Sequence, residues 1–236
     1  MPSTIENVIG DISGRAFRAL SVVRGGKSLH PKGIVFDAGL TIDGTFDAPS
    51  APLLSERGTH AALVRFSRSL GLPHPWPDIV GVAIRLLNVH GVGHHQDFLF
   101  VTSVDKPVLH HVLVPVRDAQ SQVYSSLAPY KIGGTNVLFG LNPRADSPRG
   151  EGESLEDRLA DAAGTGDLTF DFSVAHVGKR FGPIGELAIG RQLPGGFDGK
   201  PFNVWNTGGG IEPATIVNRV RKQAYKQSQR GYVDEE

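Results

Sequence analysis

The sequence predicts a β-rich α+β fold, built on an antiparallel sheet or closed barrel with helices at its periphery. Glycine (30) and proline (16) are both plentiful, which favours frequent turns over a helical bundle. Short segments rich in β-branched and apolar residues recur between turn signals. Helical signals are fewer and sit between or outside those segments.

In chain order, residues 5–24 read as a helix ended by Gly25-Gly26. GIVFDAGLTID (33–43) reads as a strand closing in an Asp43-Gly44 turn. AALVRFSRSLG (61–71) alternates loosely, and Ile79–Leu87 and Asp97–Ser103 read as buried strands. Residues 106–118 start as a helix that Pro107 and Pro115 cut short. RADSPRGEGES (144–154) reads as a flexible loop. SLEDRLADAAG (154–164) is a helix with Ser154 as N-cap, acids in its first turn and Gly164 as its stop. LTFDFSVAHVG (168–178) alternates well, and ELAIGRQL (186–193) is a shorter strand. From Glu212-Pro213 to about Gln229 the tail reads as a final helix with proline near its start. No internal repeat or long linker appears, so residues 1–236 are expected to form a single domain.

Composition narrows the function classes. Lys plus Arg (24) equals Asp plus Glu (24), so no overall charge argues for nucleic acid or an anionic membrane. Cysteine is absent, which removes disulfides, thiolate metal ligands and thiol nucleophiles. The opening MPSTIENVIGDISG lacks the basic start and apolar run of a signal peptide. No apolar stretch approaches the ~20 residues of a membrane-spanning helix. The expectation is a soluble, cytoplasmic protein without nucleic-acid or membrane partners.

Four stretches carry residues suited to chemistry. In the basic tail RVRKQAYKQSQRGY (219–232), Arg221 and Tyr225 are one helical turn apart. A phenol ordinarily loses its proton near pH ~10, and a cation one turn away favours the phenolate. A phenolate is one of the side chains that can hold haem iron. The spacing is common, and by itself it describes any surface pair equally well. SLHPKG contains His30, an imidazole suited to moving protons near neutral pH, or simply a loop histidine. In LVRFSRSLG, Arg65 and Ser67 share one face of a strand. An arginine buried there needs an anion, whereas one on an outward face needs none. NTGGGIEP (206–213) has three successive glycines, which permit close backbone approach or an unusual turn.

Together these stretches resemble the catalase family. Its HxKG motif is matched by His30-Pro31-Lys32-Gly33, and its V-R-F-S strand by Val64-Arg65-Phe66-Ser67. Its D-x-x-G-x-A-x-(K/R) strand is matched by Asp78-Ile79-Val80-Gly81-Val82-Ala83-Ile84-Arg85. Its G-I-E-P turn and R-x-x-x-Y helix are matched by Gly210-Ile211-Glu212-Pro213 and by Arg221 through Tyr225. The resemblance spans about residues 25–230.

The resemblance implies a closed antiparallel eight-stranded β-barrel with peripheral helices and a C-terminal helix that ligates haem b, ferric iron protoporphyrin IX. Tyr225 would be the proximal iron ligand and Arg221 its cationic partner. His30 would be the distal acid–base group, its ring held by Ser67. Arg65, Lys27 and Arg230 would meet the propionates. The implied activity is that of a haem peroxidase acting on hydrogen peroxide or organic hydroperoxides, with a small-molecule reductant and weak catalase activity. The implied assembly is a homo-oligomer, a dimer or larger.

The chain departs from the family pattern in two ways. The family's distal asparagine is matched by His95, within Gly93-His94-His95-Gln96-Asp97. The chain is also far shorter than ordinary catalases, which suits a minimal peroxidase-type member with a more open pocket. Other readings are rearrangement of fatty-acid hydroperoxides, as allene oxide synthases perform, or a non-enzymatic role, either haem storage or sensing or a haem-free barrel that retains the scaffold. A further reading is a non-haem metal site from His90, His94, His95 and Asp97, or from His110-His111.

Overall fold

The computed structural model describes residues 33–72, 75–166, 168–194 and 201–214. They contain ten strands: β1 (Gly33–Ile42), β2 (Gly58–Arg68), β3 (Val80–Leu86), β4 (Gln96–Thr102), β5 (Tyr124–Ser125), β6 (Tyr130–Ile132), β7 (Thr135–Pro143), β8 (Thr169–His176), β9 (Gly182–Gln192) and β10 (Ile211–Pro213). Two helices accompany them, α1 (Pro52–Ser55) and α2 (Leu155–Gly164).

All pairings are antiparallel. The order β1-β2-β3-β4-β5-β7-β8-β9 returns to β1 through the β1–β9 ladder, so eight strands close into a barrel. β6 continues from β7, and β10 adds to β6, as a short extension of the same sheet. Closure leaves no unpaired edge in the eight-stranded ring.

Ring contacts between strands that are not neighbours fix which face is inside. Phe66 on β2 meets Phe170 on β8 at 6.0 Å, and Phe98 on β4 meets Phe172 on β8 at 5.4 Å. Phe36, Phe100 and Phe139 join the same network. These rings fill the interior, as expected for eight strands, whose lumen is just wide enough for side chains. The alternation of each strand then turns Arg65, Ser67, Arg85 and Asp97 to the outer face.

The predicted strands at 33–43, 61–71, 79–87, 97–103 and 168–178 coincide with β1, β2, β3, β4 and β8. The strand predicted at 186–193 begins four residues earlier, at Gly182. The predicted 154–164 helix is α2. Ser154 Oγ accepts from the Asp157 amide at 3.0 Å, and Asp157 Oδ2 accepts from the Ser154 amide at 3.1 Å, closing a capping box.

Residues 106–118 are not helical. They run through turns, with Val108 at φ 71°, and make isolated bridges from Leu113 to Ser103 and from Val116 to Asp78. The prolines that limited the predicted helix prevail over its apolar spacing. Glu212 and Pro213 extend the sheet as β10 instead of opening a helix. The remainder of the predicted tail helix and the helix predicted at 5–24 lie outside the described residues. Residues 144–154 form a loop pinned by ion pairs: Arg144 reaches Asp146, Asp171 and Glu186, and Arg149 reaches Asp118. Among the described residues, no helix is long and apolar enough to cross a membrane.

Candidate functional site

The outer face carries the described candidate residues. Arg65 and Ser67 lie two apart on β2, where alternation puts both on one side. Ser67 is buried and pairs across the ladders with Gly33 on β1 and Gly81 on β3. A Cβ on Gly33 would lie 2.5 Å from the Phe66 carbonyl oxygen and 3.0 Å from the Arg65 guanidinium carbon. The glycine of His30-Pro31-Lys32-Gly33 therefore leaves the space that the Arg65 head group occupies.

The same register continues round the barrel. Gly33, Ser67, Gly81, Val101, Ser125, Gly140 and Ser173 are successive partners from β1 to β8. They form a belt of mostly small residues on the outer face, most of them buried under other parts of the chain. Over Gly140 the aromatic ring of Phe181 stands 2.8 Å from where a Cβ would be. His110 stacks on that ring with centroids 4.2 Å apart. No stretch of sequence announces the belt, because each strand contributes one residue and only the register lines them up.

His95 sits where the β3–β4 hairpin turns. Its Nδ1 accepts from the Asn88 amide at 3.0 Å, so the hydrogen of the neutral ring resides on Nε2. Asn88 takes φ 57°, and its Oδ1 accepts from the Gly93 amide at 2.8 Å, which shapes the turn. The structure does not bring His95 beside Ser67. The neighbouring Gln96 pairs through Leu86 with Ala62, five residues along β2 from Ser67.

Next to His95 lies a buried ionic cluster that sequence reasoning missed. Asp97 and Arg85, cross-strand partners, form a bidentate pair with Nε–Oδ1 2.8 Å and Nη2–Oδ2 2.6 Å. The Arg85 side chain is 6% exposed and that of Asp97 0%. Burial of two charges requires that their remaining hydrogen-bonding capacity be used, and residues 201–206 use it. Asp97 Oδ2 accepts from the Asn203 amide at 2.8 Å, and Oδ1 accepts from Asn206 Nδ2 at 3.1 Å. Arg85 Nη2 donates to the Pro201 carbonyl at 3.0 Å, and the guanidinium lies 4.9 Å over the Phe202 ring. The signal available in the sequence was an Arg on one buried strand and an Asp at the head of the next.

The glycine triplet explains the chain's close approach beside this cluster. The His90 ring lies 3.1 Å from where a Gly208 Cβ would be and 2.8 Å from a Gly209 Cβ. Gly209 and Gly210 take φ 53° and 81°. Glycine adopts such angles at little cost.

These contacts occupy Asp97, His90 and His111, three of the residues named for a non-haem metal site. Asp97 is committed to Arg85, His90 Nε2 meets Gln96 Oε1, and His111 Nδ1 donates to the Leu127 carbonyl. Among the described residues no group of three or more His, Asp or Glu converges to hold a metal ion. Lys27, His30, Arg221, Tyr225 and Arg230 lie outside the described residues. Compared with protein-family models and with curated proteins, the chain has no match.

Two measurements test this geometry. Gly33→Ala is expected to lower stability by about 1–3 kcal/mol, the usual cost of forcing atoms into a packed site, read as a lower urea midpoint with unchanged slope. The second concerns His110, 1% exposed, whose ring nitrogens meet no hydrogen-bond partner among the described residues, and its neighbour His111. Burial lowers the pKa of both imidazoles in the fold, so protonation favours the unfolded chain. Their contribution is complete above the unfolded value near pH ~6.5 and is lost as pH falls below it. The melting temperature is expected to drop on acidification from pH 7 to 5, and less steeply in His110→Phe.

Proposed function

We propose that this chain is a catalase-related haem peroxidase that acts on hydrogen peroxide or organic hydroperoxides and uses a small organic electron donor. The observation that carries the reading is the order and spacing of His30-Pro31-Lys32-Gly33, Val64-Arg65-Phe66-Ser67 and Arg221 through Tyr225 along the chain. The eight-stranded barrel supports it, because Arg65 and Ser67 leave β2 on the outer face, over a belt of small residues.

The chemistry of the described residues suits such a cofactor: Arg65, on the outer face beside Gly33, is the cation that a propionate would meet. Tyr225 would hold the iron as a phenolate, with Arg221 one turn before it stabilising that charge. Lys27 and Arg230 would supply further cations to the propionates. When bound, ferric haem supplies the redox chemistry that breaks the peroxide O–O bond. His30 would take the proton from the near peroxide oxygen and return it to the far oxygen, so that water leaves. Ser67, which pairs across the ladder with Gly33, would hold the His30 ring. His95 carries its N–H donor at Nε2 but lies at the hairpin end of this face, away from Ser67.

Hemin reconstitution tests the reading. The wild-type protein is expected to take up hemin with a Soret band that Tyr225→Phe weakens or shifts; an unaltered band rejects Tyr225 as the ligand. His30→Ala is expected to lower peroxidase turnover by about 10²-fold or more, the scale of losing a general acid–base group. Unchanged turnover rejects that role. Product analysis with a lipid hydroperoxide distinguishes reduction to the alcohol from rearrangement.

A further inference from the structure

We propose that Asp97 and Arg85, with Gln96, form a clamp that positions the C-terminal segment and so sets the proximal ligand Tyr225; the purpose assigned to the clamp rests on the haem reading above. Asp97 and Gln96 leave β4 on opposite faces, so the segment is held from two sides at the hairpin end of the barrel. Asp97 accepts two hydrogen bonds from Arg85 and two from the segment, at the Asn203 amide and Asn206 Nδ2. Its own amide donates to the Asn206 carbonyl at 2.7 Å. Gln96 Oε1 accepts from Thr207 Oγ1 at 2.9 Å and from the Gly208 amide at 3.3 Å, beside its contact with His90 Nε2.

These bonds address every residue from Asn206 to Gly208, immediately before the glycine turn into β10. β10 ends at Pro213, eight residues before Arg221 and twelve before Tyr225. The barrel itself has no need of a buried ion pair here. The interior is already closed by aromatic packing, and a buried pair is commonly replaced by apolar residues without loss of stability. What the pair adds over an apolar replacement is direction: a carboxylate and a guanidinium fix the approach of Pro201, Asn203 and Asn206 through charge-assisted bonds. Asp97 is therefore a positioning residue, acting on the iron ligand through the segment it holds.

The test uses the full chain and the double variant Arg85→Met/Asp97→Leu, which leaves no lone buried charge. Three quantities are read: the urea midpoint, the rate of chymotrypsin cleavage after Phe202 in haem-free protein, and the Soret spectrum on hemin titration. The double variant is expected to keep a cooperative unfolding transition, to be cleaved at least about ten-fold faster than wild type, as for the loss of about 1.4 kcal/mol of local docking, and to show an altered Soret band. Asn206→Ala, which removes one bond to Asp97 Oδ1 from outside the barrel, is expected to move cleavage and Soret band in the same direction. It decides the question if the double variant does not fold. Wild-type cleavage rates in the folded variants overturn the clamp. Faster cleavage with a wild-type Soret band and hemin affinity overturns the positioning of the ligand. Wild-type protein that takes up no hemin overturns the haem reading and, with it, the role assigned to Asp97; the cleavage ratio separates that result from failure of the clamp itself.

Discussion

Closing eight strands into a ring leaves a lumen that side chains must fill, and here aromatic rings fill it. Phe98 alone meets Phe100, Tyr130, Phe139 and Phe172. A filled lumen dictates where chemistry can occur. No cofactor can enter the barrel as a lipocalin-like ligand would, so any flat group must lie against its outer surface. The alternation that turns phenylalanine inward on β2 is the same alternation that turns Arg65 and Ser67 outward. Core and candidate site are thus one pattern seen from its two sides, and a one-residue slip of β2 would ruin both.

The outer surface is differentiated along the strands. At one end the belt from Gly33 to Ser173 strips the sheet of bulk, and the Arg65 head group lies over Gly33. At the other end the sheet becomes polar, with Asp97 and Arg85 buried beneath residues 201–206. The first region carries a cation over small residues, and the second holds residues 201–206 against the sheet. Under the proposed reading, a porphyrin would use the first region for its ring and propionate, and depend on the second for the aim of its iron ligand. The two regions are joined by β2, β3 and β4, which pair along their lengths without a register shift. The sheet therefore serves as the rigid ruler between them.

Long alternating segments announced β1, β2, β3, β4 and β8, because burial on one face of a strand writes a period-two signal into the chain. β5 and β6, at two and three residues, are too short to carry any period. β7 was obscured for a different reason: its centre, Val137 through Leu141, is buried on both faces, since Phe181 covers the outside at Gly140. The 106–118 segment misled because apolar residues at helical spacing can equally line a folded turn. In it Val108 and Leu109 stay exposed while His110 turns inward. Spacing placed Arg65 and Ser67 on one face of a strand, whereas the belt and the clamp left no such signal. Both arise between residues far apart in sequence, and only pairing register brings Gly33 to Ser67 or Asp97 to Arg85 and Asn203.

The position matched to a distal asparagine shows how local geometry constrains chemistry when a residue type changes. An asparagine amide offers two donors and an acceptor, and an imidazole in its place could in principle donate, accept or bind iron. The Asn88 amide occupies Nδ1 of His95 and so reserves that nitrogen as an acceptor. One nitrogen, Nε2, is left to act outward, as a donor while the ring is neutral. Iron ligation through Nε2 would need that hydrogen removed or moved to Nδ1, and moving it would set two N–H groups against each other at the Asn88 bond. The turn that places Asn88 at φ 57° therefore does more than reverse the chain. By fixing the tautomer, it confines the neutral His95 ring to donating a hydrogen bond, and it does so at the hairpin end of the sheet, away from Ser67.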